Sequence, residues 1–410
     1  MKNVKCTPNL RFPHFKDDWG NYQLGKLLEF KNGINASKEQ YGRGYKFINV
    51  LDILNNDFIT HEKIIGSVEV DESIAEKFSV SYGDILFQRS SETREEVGSA
   101  NVYLDNTKKA TFGGFVIRGK KIGEYNPIFL NLFLKTDYAR NQITSKSGGS
   151  TRYNIGQEIL SSISLLLPSL EEQSRIATFF TALDKKIAEL KQKKTLLMQY
   201  KKGIMRKIFS QELRFKDDKG NELPKWEKIK LGNLTTVVIG GTPSTIKKEY
   251  WNGDIGWLTS GDLNNGDIEK PSKLITELGL KNSSAKLMPP DTVLLAMTGA
   301  TLGRIGYLKI NCSGNQSIAG FLPHNKYVSK FLFYSLQFNL NLILSNSAGA
   351  AQPGINKNSI ENLEFLFPTI SEQESISIFI SAIDAKINGT ENQIQQTQQY
   401  KKGLLQKMFI

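Results

Sequence analysis

Cysteine is nearly absent from this sequence: Cys6 and Cys312 are the only two among 410 residues, and they stand far apart. That scarcity excludes a disulfide framework and a cysteine-rich zinc module. Histidine is as scarce. His14, His61 and His324 are isolated from one another, and none is assigned a metal-binding or catalytic role. Long apolar runs are missing too, and nothing approaches the ~18–20 consecutive residues needed to span a bilayer. The run ISLLL at 163–167 reads as a buried strand, and the opening MKNVKCTPNLRF has no apolar core of the signal-peptide kind. A cytoplasmic location without membrane contact is therefore expected.

Catalytic signatures are also absent. GGTPS at 240–244 has glycines but no Lys-Ser/Thr at phosphate-loop spacing, and there is no GxSxG elbow, HExxH or Cys-His pairing. NPIF at 126–129 lacks the second proline, at Ile128, and the upstream glycine-rich loop that an adenine-methylating site requires. Asn126-Pro127 is better read as a helix start. Asp291 follows Pro289-Pro290, but no Asp or Glu occurs from Thr292 to Ile360 to help it hold a catalytic cation.

What the sequence does contain is a duplication. A chain of this length implies two or three domains, and 39% hydrophobic residues suffice to build their cores. Pro168, Glu172, Gln173, Ile176, Phe179, Ala182, Asp184, Lys186 and Ile187 recur as Pro368, Glu372, Gln373, Ile376, Phe379, Ala382, Asp384, Lys386 and Ile387. The register persists to QYKKGIMRKIF (199–209) and QYKKGLLQKMF (399–409). Ile176, Leu183, Leu190, Leu197 and Ile204 fall every seventh residue, an apolar stripe at helical spacing. The second copy keeps Ile376, Ile383 and Leu404 on this row and Ile380, Ile387, Ile394 and Met408 beside it, around a polar middle at 388–399. Acidic residues at 171–172 and 372–374 suit the first turns of two helices. Each helix is predicted to run ~37 residues, or ~55 Å. Two such helices pair most simply with each other, as an antiparallel coiled coil.

The globular parts correspond more loosely. Trp19, Leu24 and Gly25 match Trp226, Leu231 and Gly232. FINVLDI (47–53) matches WLTSGDL (257–263), and YGDILFQRSS (82–91) matches PPDTVLLAMTG (289–299). NPIFLNLFLKTDYARNQI (126–143) and KYVSKFLFYSLQFNLNLIL (326–344) read as helices among short strands. The expected fold is mixed α+β: two similar α/β domains, a pseudo-twofold internal duplication, joined and separated by the long helices. The boundaries are 1–167, helix 168–213, 214–366 and helix 367–410. The charged segment at 214–226, with Gly and Pro, divides the halves.

Charge is distributed unevenly around a formal net +12. Residues 106–157 hold nine basic residues against Glu124 and Asp137, giving +7. Residues 292–360 hold Arg304, Lys309, Lys326, Lys330 and Lys357 without an acid, giving +5. Phosphate neutralisation is the natural use of a basic face that recurs in both copies. Loops in these regions carry Arg, Asn and Gln, the side chains that pair with base edges. They differ between copies, as in GGSTRYN against GAAQPGIN. Near-constant helices with variable loops suggest two readers of two different sequences.

With these residues in view, the chain resembles the specificity subunits of type I restriction–modification enzymes. The resemblance rests on Glu172-Gln173 and Glu372-Gln373, Asp184 to Ile187 and Asp384 to Ile387, and the QYKKG segments. It also rests on the Trp–Leu-Gly openings and on TGATLGRIG (298–306), for which the first copy has SSETREEVGSA (90–100). It implies a non-catalytic subunit with two target recognition domains, each reading half of a bipartite, asymmetric site on double-stranded DNA. It implies helices that set the spacer and dock two modification (methyltransferase) subunits, and a complex that recruits restriction subunits. S-adenosylmethionine, ATP and Mg belong to those partners, with no cofactor or metal in this chain. The candidate DNA contacts are Arg89, Arg94, Lys146 and Arg152 in the first domain, and Thr242, Lys247, Thr301, Arg304, Gln316 and Gln352 in the second. Tyr200, Lys201, Tyr400 and Lys401 are the candidate partner contacts. The alternative is a coiled-coil scaffold or dimerisation protein with non-specific nucleic-acid binding.

Overall fold

The computed structural model describes residues 7–347 and 354–410. Two long helices dominate it, Leu170–Phe209 and Ile370–Met408, of 40 and 39 residues. The second stays helical through its polar middle, where Thr390 and Ile394 are buried. The chain divides into two compact units, residues 1–191 with 392–410, and residues 192–391. These units cut across the linear division expected from sequence, because each helix begins in one unit and ends in the other.

In the first unit, Gly20–Gln23 pairs antiparallel with Ser164–Leu167, so the globular part starts and ends beside the helix that follows it. Leu165 and Leu167 are buried while Ser164 and Leu166 are half-buried, so ISLLL forms a one-sided strand rather than a fully buried one. A four-stranded sheet has the order Leu28–Asn32, Val116–Lys121, Ile85–Gln88, Ala100–Val102. A smaller sheet sets Tyr41–Ile48 between Ser67–Val68 and Thr111–Phe112. The predicted helix over 126–143 is two helices, Pro127–Leu134 and Asp137–Thr144. Asn126 caps the first by accepting the Ile128 and Phe129 amides, and Thr136 caps the second, which is why the chain turns there.

The second unit repeats this plan. Glu227–Lys230 pairs antiparallel with Glu364–Phe367. Its main sheet has the order Val237–Ile239, Ile318–Phe321, Val293–Ala296, Ile305–Leu308, Gly266–Ile268. The predicted helix over 326–344 again divides, into Ser329–Phe338 and Leu340–Ser345. The FINVLDI and WLTSGDL segments carry matching caps: Asp52 accepts the Asn49 amide and Asp262 the Thr259 amide, both at 2.7 Å.

The Glu-Gln pair fixes the start of each helix. Gln173 donates to the Pro168 carbonyl and accepts the Asn126 amide, at 2.9 and 3.0 Å. Gln373 does the same with Pro368 and Val328, both at 2.9 Å. Glu172 and Glu372 are fully buried and do more than favour the helix dipole. Arg11 binds Glu172 through two bonds of 2.7 Å, and Arg214 binds Glu372 through bonds of 3.1 and 2.6 Å. The next residues match as well, with Phe12 against Phe179 and Phe215 against Phe379, each pair at 5.9 Å between ring centroids. Leu-Arg-Phe at 10–12 and 213–215 is thus a further repeated element.

The helix ends close the cores. In the first unit Phe409 packs on Phe129, Phe133 and Phe180, with centroids 5.4–6.0 Å away. In the second, Phe209 packs on Trp226, Phe331 and Phe338, 5.0–6.0 Å away. Within each unit the two helical segments run antiparallel. Lys401 pairs with Asp184 in the first unit. In the second, Lys201 pairs with Asp384 and Lys194 with Glu391, both at 2.7 Å.

Candidate nucleic-acid interface

The end of the central strand pair in each unit is built on one backbone frame. In the first unit the Arg89 amide donates to the Phe115 carbonyl and the Ile155 amide to the Arg89 carbonyl, at 2.9 and 3.0 Å. The second unit makes the same bonds from Met297 to Ser317 and from Ile355 to Met297, at 2.8 and 2.9 Å. Gly33 and Ile34 donate to Val116 and Phe112 as Gly240 and Gly241 donate to Ile318 and Gly314. These bonds put Arg89 in the place of Met297, Phe115 of Ser317, Gly114 of Gln316 and Asn35 of Thr242. The scaffold is shared, and the side chains it presents are not.

The following loop shares the frame too. The Gly98 amide donates to the Gln88 carbonyl and the Gly303 amide to the Ala296 carbonyl, both at 2.9 Å. Both glycines have positive φ, 67° and 82°, the left-handed region that glycine enters without strain. Eight residues separate Arg89 from Gly98 and five separate Met297 from Gly303. SSETREEVGSA is therefore the longer occupant of the place that TGATLGRIG holds in the second copy.

Arg89 and Arg152 come together around Phe115. Arg89 donates to the Gly114 carbonyl at 3.3 Å, and the Arg152 guanidinium lies over the Phe115 ring at 5.5 Å. Arg94 and Lys146 gather at the end of the helix Asp137–Thr144. Arg94 donates to the Thr144 and Ser145 carbonyls, and Lys146 to the Ser162 carbonyl at 3.1 Å. Cations are favoured at a helix C-terminus. In the second unit Thr242 donates to the Gln316 side-chain oxygen at 2.6 Å. Thr301 and Arg304 meet one loop, bonding Ser260 at 2.9 Å and the Gly261 carbonyl at 3.4 Å. Lys247 donates to the Tyr250 hydroxyl at 3.0 Å, and this bond holds its ammonium above the usual lysine range. Gln352 lies outside the described residues. Sequence reasoning missed Asn35 and Phe115. Asn35 stands two residues past the matched Gly33, whereas Phe115 has only Ser317 opposite it and left no signal.

The basic clusters are less uniform than their charge count. Arg118 is 7% exposed, bonded to the Ser79 carbonyl and set against Phe112. Arg140 donates to the Glu95 and Val97 carbonyls. Burial lowers the affinity of both guanidinium groups for their protons. Lys330 pairs with Asp267 and lies 4.0 Å from the Tyr307 ring centroid. These three cations serve the fold rather than a basic face. Lys108, Lys109, Lys120, Lys146 and Arg152 in the first unit, and Arg304, Lys309 and Lys326 in the second, remain exposed.

Of the residues expected at a partner surface, Tyr200 and Tyr400 are exposed at 52% and 57%. Lys201 and Lys401 are instead committed inside their units to Asp384 and Asp184, because the antiparallel register sets each lysine opposite a carboxylate. Among the described residues no helix is long and apolar enough to cross a membrane.

Comparisons with known proteins bear on both halves. The profile of the type I restriction modification DNA specificity domain matches residues 16–199 and again 224–398. The putative type I restriction enzyme MjaX specificity subunit of Methanocaldococcus jannaschii is 24% identical over 417 residues, spanning 98% of this chain and 95% of that protein. The MjaIX specificity subunit of the same organism is 29% identical over 208 residues, which is 49% of this chain and 48% of that protein. The crystal structure of the type I restriction–modification S subunit from M. genitalium shares the fold, with a TM-score of 0.58 and 17% identity. It covers 98% of this chain and 99% of that one. Since the profile matches both copies of the duplication, the chain belongs to the type I restriction modification DNA specificity domain family.

Proposed function

We propose that this chain is the non-catalytic sequence-reading subunit of a type I restriction–modification complex. Each globular part reads one half of a bipartite, asymmetric site in duplex DNA. The observation that carries this reading is the common backbone frame with exchanged side chains: Arg89, Gly114 and Phe115 in one copy, Met297, Gln316 and Ser317 in the other. Two readers of one sequence would gain nothing from such divergence. The exposed cations near these loops supply phosphate contacts, which fix register and affinity without reading sequence.

The long helices set the spacer and dock two modification subunits, with Tyr200 and Tyr400 as anchors, since exposed tyrosines are favoured at interface hot spots. Restriction subunits join that complex. S-adenosylmethionine, ATP and Mg act in the partners. The test is to map methylated adenines in cells that carry this chain with its modification subunit. A single bipartite motif that vanishes when this chain is omitted is the expected result. Methylation without a bipartite motif, or a motif unchanged by the omission, overturns the reading. Shortening both helices by one heptad should then change the spacer of that motif rather than its bases.

A further inference from the structure

We infer that Phe115 reads the 5-methyl group of a thymine in the half-site of the first unit, with Asn35 and Gly114 shaping its place. The inference rests on the sequence-reading function proposed above and names one contact within it.

Phe115 is 60% exposed although its neighbours Phe112, Gly113 and Val116 are buried. Single exposed apolar side chains are ordinary on a protein surface, so its setting is what distinguishes this one. Its backbone is fixed from both sides: its carbonyl accepts the Arg89 amide, and Val116 donates back to Gly113 at 2.8 Å. Its ring is held against the Arg152 guanidinium, 5.5 Å from the ring centroid, a contact that orients its aromatic face. Two cations therefore flank an apolar group on the loop that differs between the copies. That combination suits a major groove, where phosphates attract the arginines and the thymine methyl is the apolar feature on a base edge.

The second unit shows what the same place does when built for a polar contact. There Ser317 replaces the ring, and the exposed Gln316 is braced by Thr242 at 2.6 Å. A Cβ built on Gly114 would come 1.8 Å from the Oδ1 of the exposed Asn35, so a side chain at 114 would make the Asn35 amide turn aside. Thr242 and Gln316 hold these places in the second unit. The first unit thus presents a ring where the second presents an amide.

The test uses the assembled complex with its modification subunits and begins with the motif mapped for the wild-type chain. Duplexes carrying deoxyuridine in place of each thymine of the first half-site, on either strand, remove one methyl at a time. The wild-type complex should bind one of these roughly fivefold more weakly, the low end of discrimination for a good base contact. The F115S complex should bind that duplex and its thymine parent equally, and its methylation motif should become degenerate at that position while the second half-site stays unchanged. F115L, which keeps an apolar side chain, should retain the preference in part. A flat uracil series for the wild-type complex, or a half-site without thymine, overturns the inference without touching the sequence-reading function. So does an F115S complex that keeps the wild-type preference. Should F115S fail to assemble, the wild-type uracil series alone decides. The absence of any bipartite motif is a separate failure, that of the underlying function.

Discussion

Arg11 grips the fully buried Glu172 carboxylate through two bonds of 2.7 Å, a pair that Arg214 and Glu372 repeat in the second unit. Breaking such a pair from the cationic side strands a buried charge, at a cost of about 3–5 kcal/mol. Arg11→Ala is expected to lower unfolding stability by about that much, and Arg214→Ala likewise. Glu172→Gln should cost less, because the Arg11 side chain keeps 15% exposure and can be solvated. Denaturant unfolding of the three variants checks the order, and an Arg11→Ala loss below about 1 kcal/mol contradicts it.

Phe409 closes the core of the first unit and Phe209 that of the second. Removing a buried phenylalanine costs about 3–5 kcal/mol. Hydrogen exchange should localise the damage. Phe409→Ala should deprotect Pro127–Leu134 while Ser329–Phe338 keeps its protection, and Phe209→Ala should do the reverse. Uniform deprotection by either variant would show that the cores are not closed separately.

Lys201 and Tyr200 are neighbours with different expected duties. Lys201→Ala should cost about 1–3 kcal/mol, because the pair is largely buried, with side chains 16% and 29% exposed, while Asp384 keeps the Tyr334 hydroxyl. Tyr200→Ala should leave the melting temperature unchanged and weaken capture of the modification subunit. Unfolding and pull-down measured on the same preparations separate the two.

For Lys146, exposed and with its ammonium bonded to Ser162, a phosphate contact predicts a uniform effect. Lys146→Ala should weaken binding to specific and random duplexes alike and reduce the salt slope by about one. A loss confined to one sequence would make it a base reader.

Cys312 is buried, and burial pushes its thiol up to about 12. In a Cys6→Ser background the folded chain should resist a thiol reagent that labels it at once in denaturant. The folded chain keeps the proton where the unfolded chain releases it, so this group's contribution to stability should be lost as pH rises from about 9 toward 12. Fast labelling under native conditions would show that the site opens locally.

The duplication, the long helices and the strand-rich domains were legible because identical residues recur at a fixed offset and apolar residues recur at helical spacing. Glu172 and Gln173 were legible as a motif but not as a mechanism. Their partners, Arg11 and Asn126, are distant in sequence, and the recurrence of Leu-Arg-Phe at 10–12 and 213–215 was the available clue. The breaks near Thr136 and Asn339 escaped notice because apolar spacing continues across them; a side-chain cap marks the first, whereas at Asn339 the backbone amide closes on the Ser335 carbonyl. Phe115 became visible only when backbone hydrogen bonds aligned loops whose sequences have diverged, whereas Asn35 stands two residues past Gly33, whose counterpart is Gly240. Charge counting overstated the basic faces, since it cannot distinguish Arg118 in a core from Lys120 on a surface.

The exchange of helix ends also has an ancestral meaning. Each globular part is completed by a phenylalanine that its own following helix does not supply. A half-length chain, with one globular part and one helix, would have a ring to lend and a cleft to fill. It satisfies both only by trading helix ends with a second copy, as domain-swapped dimers do. The present chain can be read as such a pair after fusion, which freed each reader to diverge while the traded ends stayed nearly alike.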